Sequence, residues 1–199
     1  LHCFRIAHLE EGIKMKRVLY LILTHLLFYC SNSIAQSYRQ LDIEIIPVAG
    51  SNQLNAEKCY ATANDSFCIK DLKFYISGIR FFNDGIPVWS EVQSFHLIDM
   101  ERPQSLTLKI NIPDHLVADE LLFNLGIDSI TSVSGAFGAD LDPTKGMYWT
   151  WQSGYINFKL EGTSNLCKTR HNEFQYHLGG YQAPFNNLQT VFVNDIPNK

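Results

Sequence analysis

The 199 residues include 46% hydrophobic and 13% aromatic side chains, which is typical of a globular chain with a packed core and excludes a disordered or fibrous protein. Sixteen basic and twenty acidic residues leave a net charge of −4. Nucleic acids and anionic lipids are bound by a basic surface, so we expect neither of them as a partner.

The N-terminal part of the chain has the features of an export signal. Met15 is followed by two basic residues, an apolar run and the small-x-small sequence Ser33-Ile34-Ala35, the order found in a secretory signal peptide. We therefore predict an upstream start-site extension over 1–14, a signal peptide over 15–35 and a single mature domain over 36–199. The apolar run is shorter than a membrane span, so we expect a periplasmic or secreted protein with no integral membrane segment in the mature chain.

Export would place the cysteines in an oxidising compartment, where disulfides persist. Cys59 and Cys68 flank the turn-like sequence Asn64-Asp65-Ser66, so we predict a local disulfide between them, with two free thiols as the alternative. Cys167 is left over, and a free, a buried and an intermolecular state are all open to it. A zinc site formed by these three thiols is disfavoured because the sequence has no CxxC pair.

Strand patterns dominate the chain after Gln36. Leu41–Ile45 alternates apolar and acidic residues, as in a strand with one buried face. Aromatic and branched residues over 72–82 precede the turn sequence Asn83-Asp84-Gly85 and a short apolar run over 86–89, which together are typical of a β-hairpin. Further strands are predicted over 94–100, 105–112, 121–127, 155–161, 173–178 and 188–193.

The remaining segments are short. We expect a helical turn over 114–120 and a loop over 128–146 that contains the strong turn sequence 142–146. Short strands separated by turn sequences predict an all-β fold, an antiparallel β-sandwich of about eight or nine strands with at most short helical turns. The chain stops soon after its last strand pattern, so an edge strand beyond Lys199, missing from a truncated sequence, is a further expectation.

The sequence shows no catalytic motif. There is no GxSxG sequence, and Cys167 lacks the context of a catalytic thiol. His96, His115, His171 and His177 show no HxH, HxxxH or HExxH spacing, so a metal site would have to be assembled from distant strands. Taken singly, each histidine is better explained as a hydrogen-bonded or solvated side chain. We therefore expect a binding protein and not an enzyme.

Aromatic residues are densest over 147–155, where the chain reads MYWTWQSGY. Packing in the core of the sandwich is the simplest interpretation of Trp149, Trp151 and their tyrosine neighbours. A stacking surface and a redox-active indole cluster beside a metal are the alternatives.

With this block and three others, the sequence resembles the copper-binding MbnP-like family of exported bacterial proteins. The matching blocks are 72–79, 123–128, 141–162 and 174–180, and the most specific part is MYWTWQSGYINFKLEG at 147–162. The resemblance implies a β-rich periplasmic or surface protein. In characterised relatives it also implies a copper ion held by histidines and by a tryptophan oxidised to kynurenine, often by a partner dihaem peroxidase-like protein.

The resemblance suggests which residues would form such a site. His177 lies in a matching block and is the first choice of copper ligand, with His96 second, while Trp149 and Trp151 are the tryptophans whose oxidation would add a donor. The predicted function is copper binding or scavenging in the cell envelope, with a dihaem peroxidase-like maturation protein as partner. The alternative is a metal-free β-sandwich that serves as an interaction module of the envelope.

Overall fold

A computed structural model describes residues 36–56, 58–151 and 154–196; the predicted extension and signal peptide over 1–35 lie outside them. Among the described residues, no helix is long and apolar enough to span a membrane. The strands and the α-helix of this part of the chain are β1 (Tyr38–Glu44), β2 (Val48–Ala49), β3 (Asn52–Gln53), β4 (Cys59–Ala61), β5 (Ser66–Asn83), β6 (Ile86–Ser90), β7 (Phe95–Asp99), β8 (Thr107–Pro113), β9 (Glu120–Leu125), α1 (Ser129–Val133), β10 (Tyr148–Trp149), β11 (Gly154–Ser164), β12 (Glu173–Gly179) and β13 (Gln189–Asn194).

The 18-residue strand β5 organises a main sheet of nine antiparallel strands. Lys73 and Phe74 pair with β11 on one side and with β7 on the other, so these two strands lie on opposite edges of β5. Strands β4 and β6 share the edge with β7, while β9 shares the edge with β11. Outside these, β10 and β12 pair with β11, and β13 pairs with β9.

A second layer is formed by β1 and β8, which pair with each other as a two-stranded ribbon. The alternation in β8 buries Leu108, Ile110 and Ile112, and they pack with Ile76 and Ile98 of the main sheet. Two β-layers around one apolar core confirm the prediction of an all-β sandwich. We call the side of the main sheet that carries Ile76 and Ile98 the ribbon face.

The opposite side of the main sheet is covered by the segment 128–147, and we call it the loop face. Tyr75 and Tyr155 of this face pack in one buried cluster. The Tyr75 hydroxyl donates to the carbonyl of Asp140, and the Tyr155 hydroxyl donates to that of Leu141, at 3.1 and 3.0 Å. The covering segment is therefore fixed to the sheet by buried phenol groups.

Two local expectations need correction. The helical turn expected over 114–120 is wrong, because only a tight turn forms there, closed by a bond from the Leu116 amide to the Pro113 carbonyl at 3.0 Å. A short helix, α1, instead begins in the segment expected to be a loop, since the carboxylate of Asp128 accepts from the Thr131 amide at 2.9 Å and caps its N-terminus. The turn over 142–146 is confirmed, with Gly146 in the left-handed conformation.

The predicted disulfide is confirmed, because Cys59 of β4 is bonded to Cys68 of β5. Cys167 is a free, half-buried thiol. Within the described chain Cys167 therefore forms no disulfide, and an intermolecular bond stays a prediction.

Candidate functional site

His96 and His177 lie on opposite faces of the main sheet. His96 pairs with Ile76 of β5, so its side chain is on the ribbon face. His177 pairs with Lys159 of β11, and Lys159 pairs with Lys73 of β5, so these three side chains are on the same face. Side chains alternate between the faces along a strand, and Lys73 and Ile76 are three residues apart on β5, so they are on opposite faces. The two histidines are also three strands apart, roughly 14 Å at the usual strand spacing. The structure does not bring them together around one ion.

Each histidine is instead paired with its own glutamate. His177 Nε2 lies 2.6 Å from Glu161 Oε1, and His96 Nε2 lies 2.7 Å from Glu91 Oε2. The same oxygen of Glu91 accepts from the Ser94 hydroxyl at 2.5 Å. Burial raises the pKa of Glu91, but the hydrogen bonds from His96 and Ser94 outweigh this and hold that pKa below its usual value. The carboxylate lies between serine and histidine, which is not the order of a catalytic triad.

From Glu161, a line of ion pairs crosses the loop face towards β5. Lys159 Nζ lies 3.4 Å from Glu161 Oε1 and 2.8 Å from Asp71 Oδ2. Lys73 Nζ lies 3.1 Å from Asp71 Oδ1. We call Lys73, Asp71, Lys159, Glu161 and His177 the charged row.

Burial and pairing act in opposite directions on the charged row. Burial raises the pKa of Asp71, but hydrogen bonds from Lys159 and Lys73 outweigh it, so this pKa lies below its usual value. Burial lowers the pKa of Lys159, but the hydrogen bond to Asp71 outweighs it, so this pKa lies above its usual value. Each group therefore favours the charged form of the other.

The described residues contain one group of three side chains with the donor spacing of a metal site, namely Asp71, Asp99 and Glu101. The ammonium group of Lys73 already lies among these carboxylates, at 3.1, 3.9 and 3.5 Å from their oxygens. The group contains no histidine. Its negative charge is balanced by a lysine of the same chain, as in a structural ion-pair cluster.

The two predicted tryptophans have different surroundings. The ring of Trp149 fills the space beside Gly179, where a Cβ atom would lie 2.5 Å from Trp149 Cζ3. Gly179 follows His177 by two residues on β12, so a Cβ atom at Gly179 would lie on the loop face, as the His177 side chain does. The two residues are about 7 Å apart along the strand. Trp151 has its ring centroid 6.1 Å from that of Trp149 and is 76% exposed. Trp149 therefore packs against β12 two residues along the strand from His177.

Comparison with protein families matches residues 38–198 to the MbnP family. The chain belongs to this family. Among solved structures, MbnP from Methylosinus trichosporium superposes with a TM-score of 0.59 at 13% identity, over 81% of this chain and 73% of that chain, which shows a shared fold. No curated protein matches the sequence.

Of the copper-site residues implied by the MbnP resemblance, the described chain brings His177 and Trp149 to the loop face. There His177 supplies an imidazole, Glu161 supplies a carboxylate bonded to it, and Trp149 lies on the same face. His96 cannot complete this set. The remaining donor would have to come from Trp149 after oxidation.

Glu161 and Lys159 are not among the site residues predicted from the sequence. Both lie in the MbnP block over 147–162 and alternate with apolar Phe158 and Leu160, so their common face was predictable. Their contact with His177 depends on the register between β11 and β12. The alternation of apolar and polar residues within one strand does not predict how that strand is aligned with its neighbour.

Proposed function

We propose that this MbnP-family chain binds copper in the cell envelope through His177 and Trp149, without His96. The observation that carries the proposal is the position of the Trp149 ring against Gly179, next to His177 on the loop face. Imidazole nitrogen is a usual copper ligand. The proposal is supported for His177 because this histidine lies on β12, the strand that the Trp149 ring contacts at Gly179.

The donor set is incomplete until Trp149 is modified. Conversion of Trp149 to kynurenine, which the family resemblance implies, would place an aromatic amine on the same face as His177. The proposal therefore includes export of the chain and a dihaem peroxidase-like maturation partner. The partner would cleave the C2–C3 bond of the Trp149 indole with hydrogen peroxide as the oxidant, which is reduced to water, and hydrolysis would then release C2 as formate. Bound copper would be the cargo of such a protein.

The test is to produce the chain in an exporting host supplied with copper, together with the proposed partner, and to measure metal content and intact mass. We expect stoichiometric copper and the mass change of one tryptophan converted to kynurenine. His177→Ala should abolish copper binding. His96→Ala and His171→Ala should retain it, since His96 lies on the other face and His171 lies in the turn before β12. Full copper content in the His177→Ala protein would contradict the proposal.

A second function, a metal-free interaction module, is supported by exposed aromatic side chains. Trp151 and Phe185 are each 76% exposed, and Tyr176 of β12 is 56% exposed. Exposed apolar side chains of this size are typical of contact surfaces. This function predicts a copper-free protein even after expression with the partner, and a loss of partner capture in Trp151→Ala and Phe185→Ala variants that His177→Ala does not reproduce.

A further inference from the structure

We propose that a pocket between the β1–β8 ribbon and the main sheet binds a medium-chain fatty acid, with Arg39 in contact with its carboxylate. The pocket has a volume of about 280 Å³ and opens to solvent. We call it the Arg39 pocket, and its apolar lining includes Leu41, Ile43, Phe81, Ile112, Leu116 and Leu121. The inference is independent of the proposed copper function, because this pocket is on the ribbon face and His177 is on the loop face.

Arg39 is a charged residue on the apolar face of β1. It pairs directly with Ile112 of β8, so the two side chains are on the same face with their Cβ atoms about 5 Å apart. Ile112 is buried in the core between the layers, and Arg39 is half-buried and lines the pocket. In the part of the chain that the structure describes, no side chain forms a hydrogen bond or an ion pair with the Arg39 guanidinium group. A guanidinium group is a permanent cation that can bind a carboxylate through two parallel hydrogen bonds.

Asp42 also lines the Arg39 pocket and carries the opposite charge. It is three residues from Arg39 on β1, so its side chain is on the outer face of the ribbon. Asp42 is exposed, and its carboxylate accepts a hydrogen bond from the Gln40 amide at 2.6 Å. Arg39 is therefore the charged side chain of the lining that lies on the inner face, and an anionic ligand fits it.

The apolar part of the Arg39 pocket lies beneath β1. Leu41 and Ile43 are on the inner face but are only half-buried, whereas their partners on β8, Ile110 and Leu108, are buried. Removal of this apolar surface from water favours the binding of a hydrocarbon chain. A cavity of about 150 Å³ lined by aliphatic and phenyl side chains holds benzene. The larger Arg39 pocket therefore has room for one medium-length acyl chain, such as that of decanoate.

An inward-pointing charge can also have a different role. On an edge strand it prevents association with the edge of another sheet, and among the described strands β1 pairs with β8 alone. That role predicts a protein that binds no fatty acid. It is distinguished from our proposal by a ligand titration.

The first measurement titrates the metal-free chain with decanoate below its micelle concentration, by calorimetry and by ¹H–¹³C methyl spectra. We expect one decanoate per chain and shifts of the methyl resonances of Leu41, Ile43 and Ile112. Arg39→Gln should weaken decanoate binding roughly tenfold, as for the loss of a hydrogen bond to a charged group. Arg102→Gln is the matched control and should bind as the wild type does, because Arg102 is exposed and lies before the start of β8, at the other end of the ribbon.

The second measurement separates the charge from the chain. Decanol, which has the same chain and no charge, should bind the wild type and the Arg39→Gln variant equally, and more weakly than decanoate binds the wild type. Leu116→Trp should abolish binding of both ligands, since Leu116 is a half-buried residue of the pocket lining and a larger ring there fills the space. Circular dichroism shows whether each variant is folded.

Three results would overturn the inference. A folded wild-type chain whose methyl spectrum does not respond to decanoate has no such site. Equal decanoate affinities of the wild type and the Arg39→Gln variant, or of the wild type and the Leu116→Trp variant, remove the carboxylate contact or the pocket. A dimer in sedimentation velocity that decanoate does not dissociate and that buries these methyl groups would assign the pocket to a second copy of the chain.

Discussion

Asp71 is a partly buried carboxylate that contacts two ammonium groups. Its oxygens lie 2.8 Å from Lys159 and 3.1 Å from Lys73, and its side chain is 14% exposed. Removal of one partner from such a shielded group leaves unpaired charges in a site of low polarity. Exposed ion pairs behave differently, because water screens them.

Asp71→Asn should destabilise the protein at pH 7 by about 2 kcal/mol, the usual size of a hydrogen bond to a charged group. The pKa of Asp71 is lower in the folded protein than its usual value of 3.8, so its ionised form stabilises the fold. That contribution is present in full above the unfolded value and is lost as the pH falls through the folded value. Urea denaturation of both proteins between pH 7 and pH 2 should show the difference between them shrinking below pH 3.8.

The matched control for this prediction is the exposed pair of Lys70 and Glu173, whose atoms lie 3.0 Å apart with side chains 56% and 42% exposed. Glu173→Gln should not change the stability measurably at any pH. An Asp71→Asn protein as stable as the wild type at pH 7 would show that the charged row contributes nothing to the fold.

At the scale of single residues, His177, Trp149 and Trp151 were predicted as copper-site residues from the family resemblance. The spacing of histidines along the sequence did not predict them. The opposite orientation of His96 depends on its register with Ile76, and the contact of His177 with Glu161 depends on that of β11 with β12. A shift of one residue in either register would exchange the faces. Copper binding and oxidation of a tryptophan remain predictions.

At the scale of elements, the pairing of β11 with β5 is irregular between Glu161 and Gly162, where Lys70 of β5 has no partner residue in β11. A Cβ atom on Gly162 would lie 2.2 Å from the carbonyl oxygen of Cys68 and 2.6 Å from the Phe174 ring. The close approach of β5 and β12 to this residue therefore requires a glycine.

Gly162→Ala should destabilise the protein by about 3 kcal/mol, because the added methyl group forces the backbones of β5 and β11 apart. Urea denaturation checks this value. Gly138→Ala is a matched control, since a Cβ atom there meets nothing within 4 Å and the backbone is extended. Equal stabilities of the two variants would mean that β11 moves away from β5 at little cost.

The disulfide joins β4 to the start of β5 and closes a loop with a sequence separation of nine residues. Replacement of Cys59 and Cys68 together by alanine should lower the free energy of unfolding by roughly 2–3 kcal/mol, the loop-closure value for this length. Guanidinium titrations with and without reductant check it. Reductant should shift the wild-type midpoint towards that of the variant and leave the variant itself unchanged. A reductant effect on the variant would point to a different reducible bond.

Sequence patterns predicted the strands in which apolar and polar residues alternate strongly. They missed the strands whose conformation depends on pairing with a neighbouring strand. The strands predicted over 105–112 and 173–178 are confirmed in β8 and β12. The first residues of β5 were missed because their strand conformation comes from pairing with β4 and β11. The short strands β2, β3 and β10 also raise the number of strands among the described residues above the eight or nine predicted. The helix α1 was missed because five residues are too few for a periodic pattern.

At the scale of the whole molecule, the two faces of the main sheet carry different kinds of side chains. The ribbon face carries the larger apolar core, which includes side chains from both layers. The loop face carries the charged row and the tryptophans next to a smaller cluster around Tyr75 and Tyr155. The β1–β8 ribbon forms no strand pairs with the main sheet, so side-chain packing must hold the layers together.

Ile110→Ala tests whether the layers fold as one unit. Ile110 is 1% exposed and packs in the core between them, so its truncation should cost about 3 kcal/mol from lost burial and the cavity that remains. An isolated two-stranded ribbon is marginally stable at best, so we expect the layers to unfold together and amide exchange to accelerate in β8 and in β5 by the same free energy. Ile130→Ala, at a side chain that is 79% exposed, should change neither. Acceleration confined to β1 and β8 would instead show that the ribbon detaches by itself and that the main sheet, with His177 and the charged row, is stable without it.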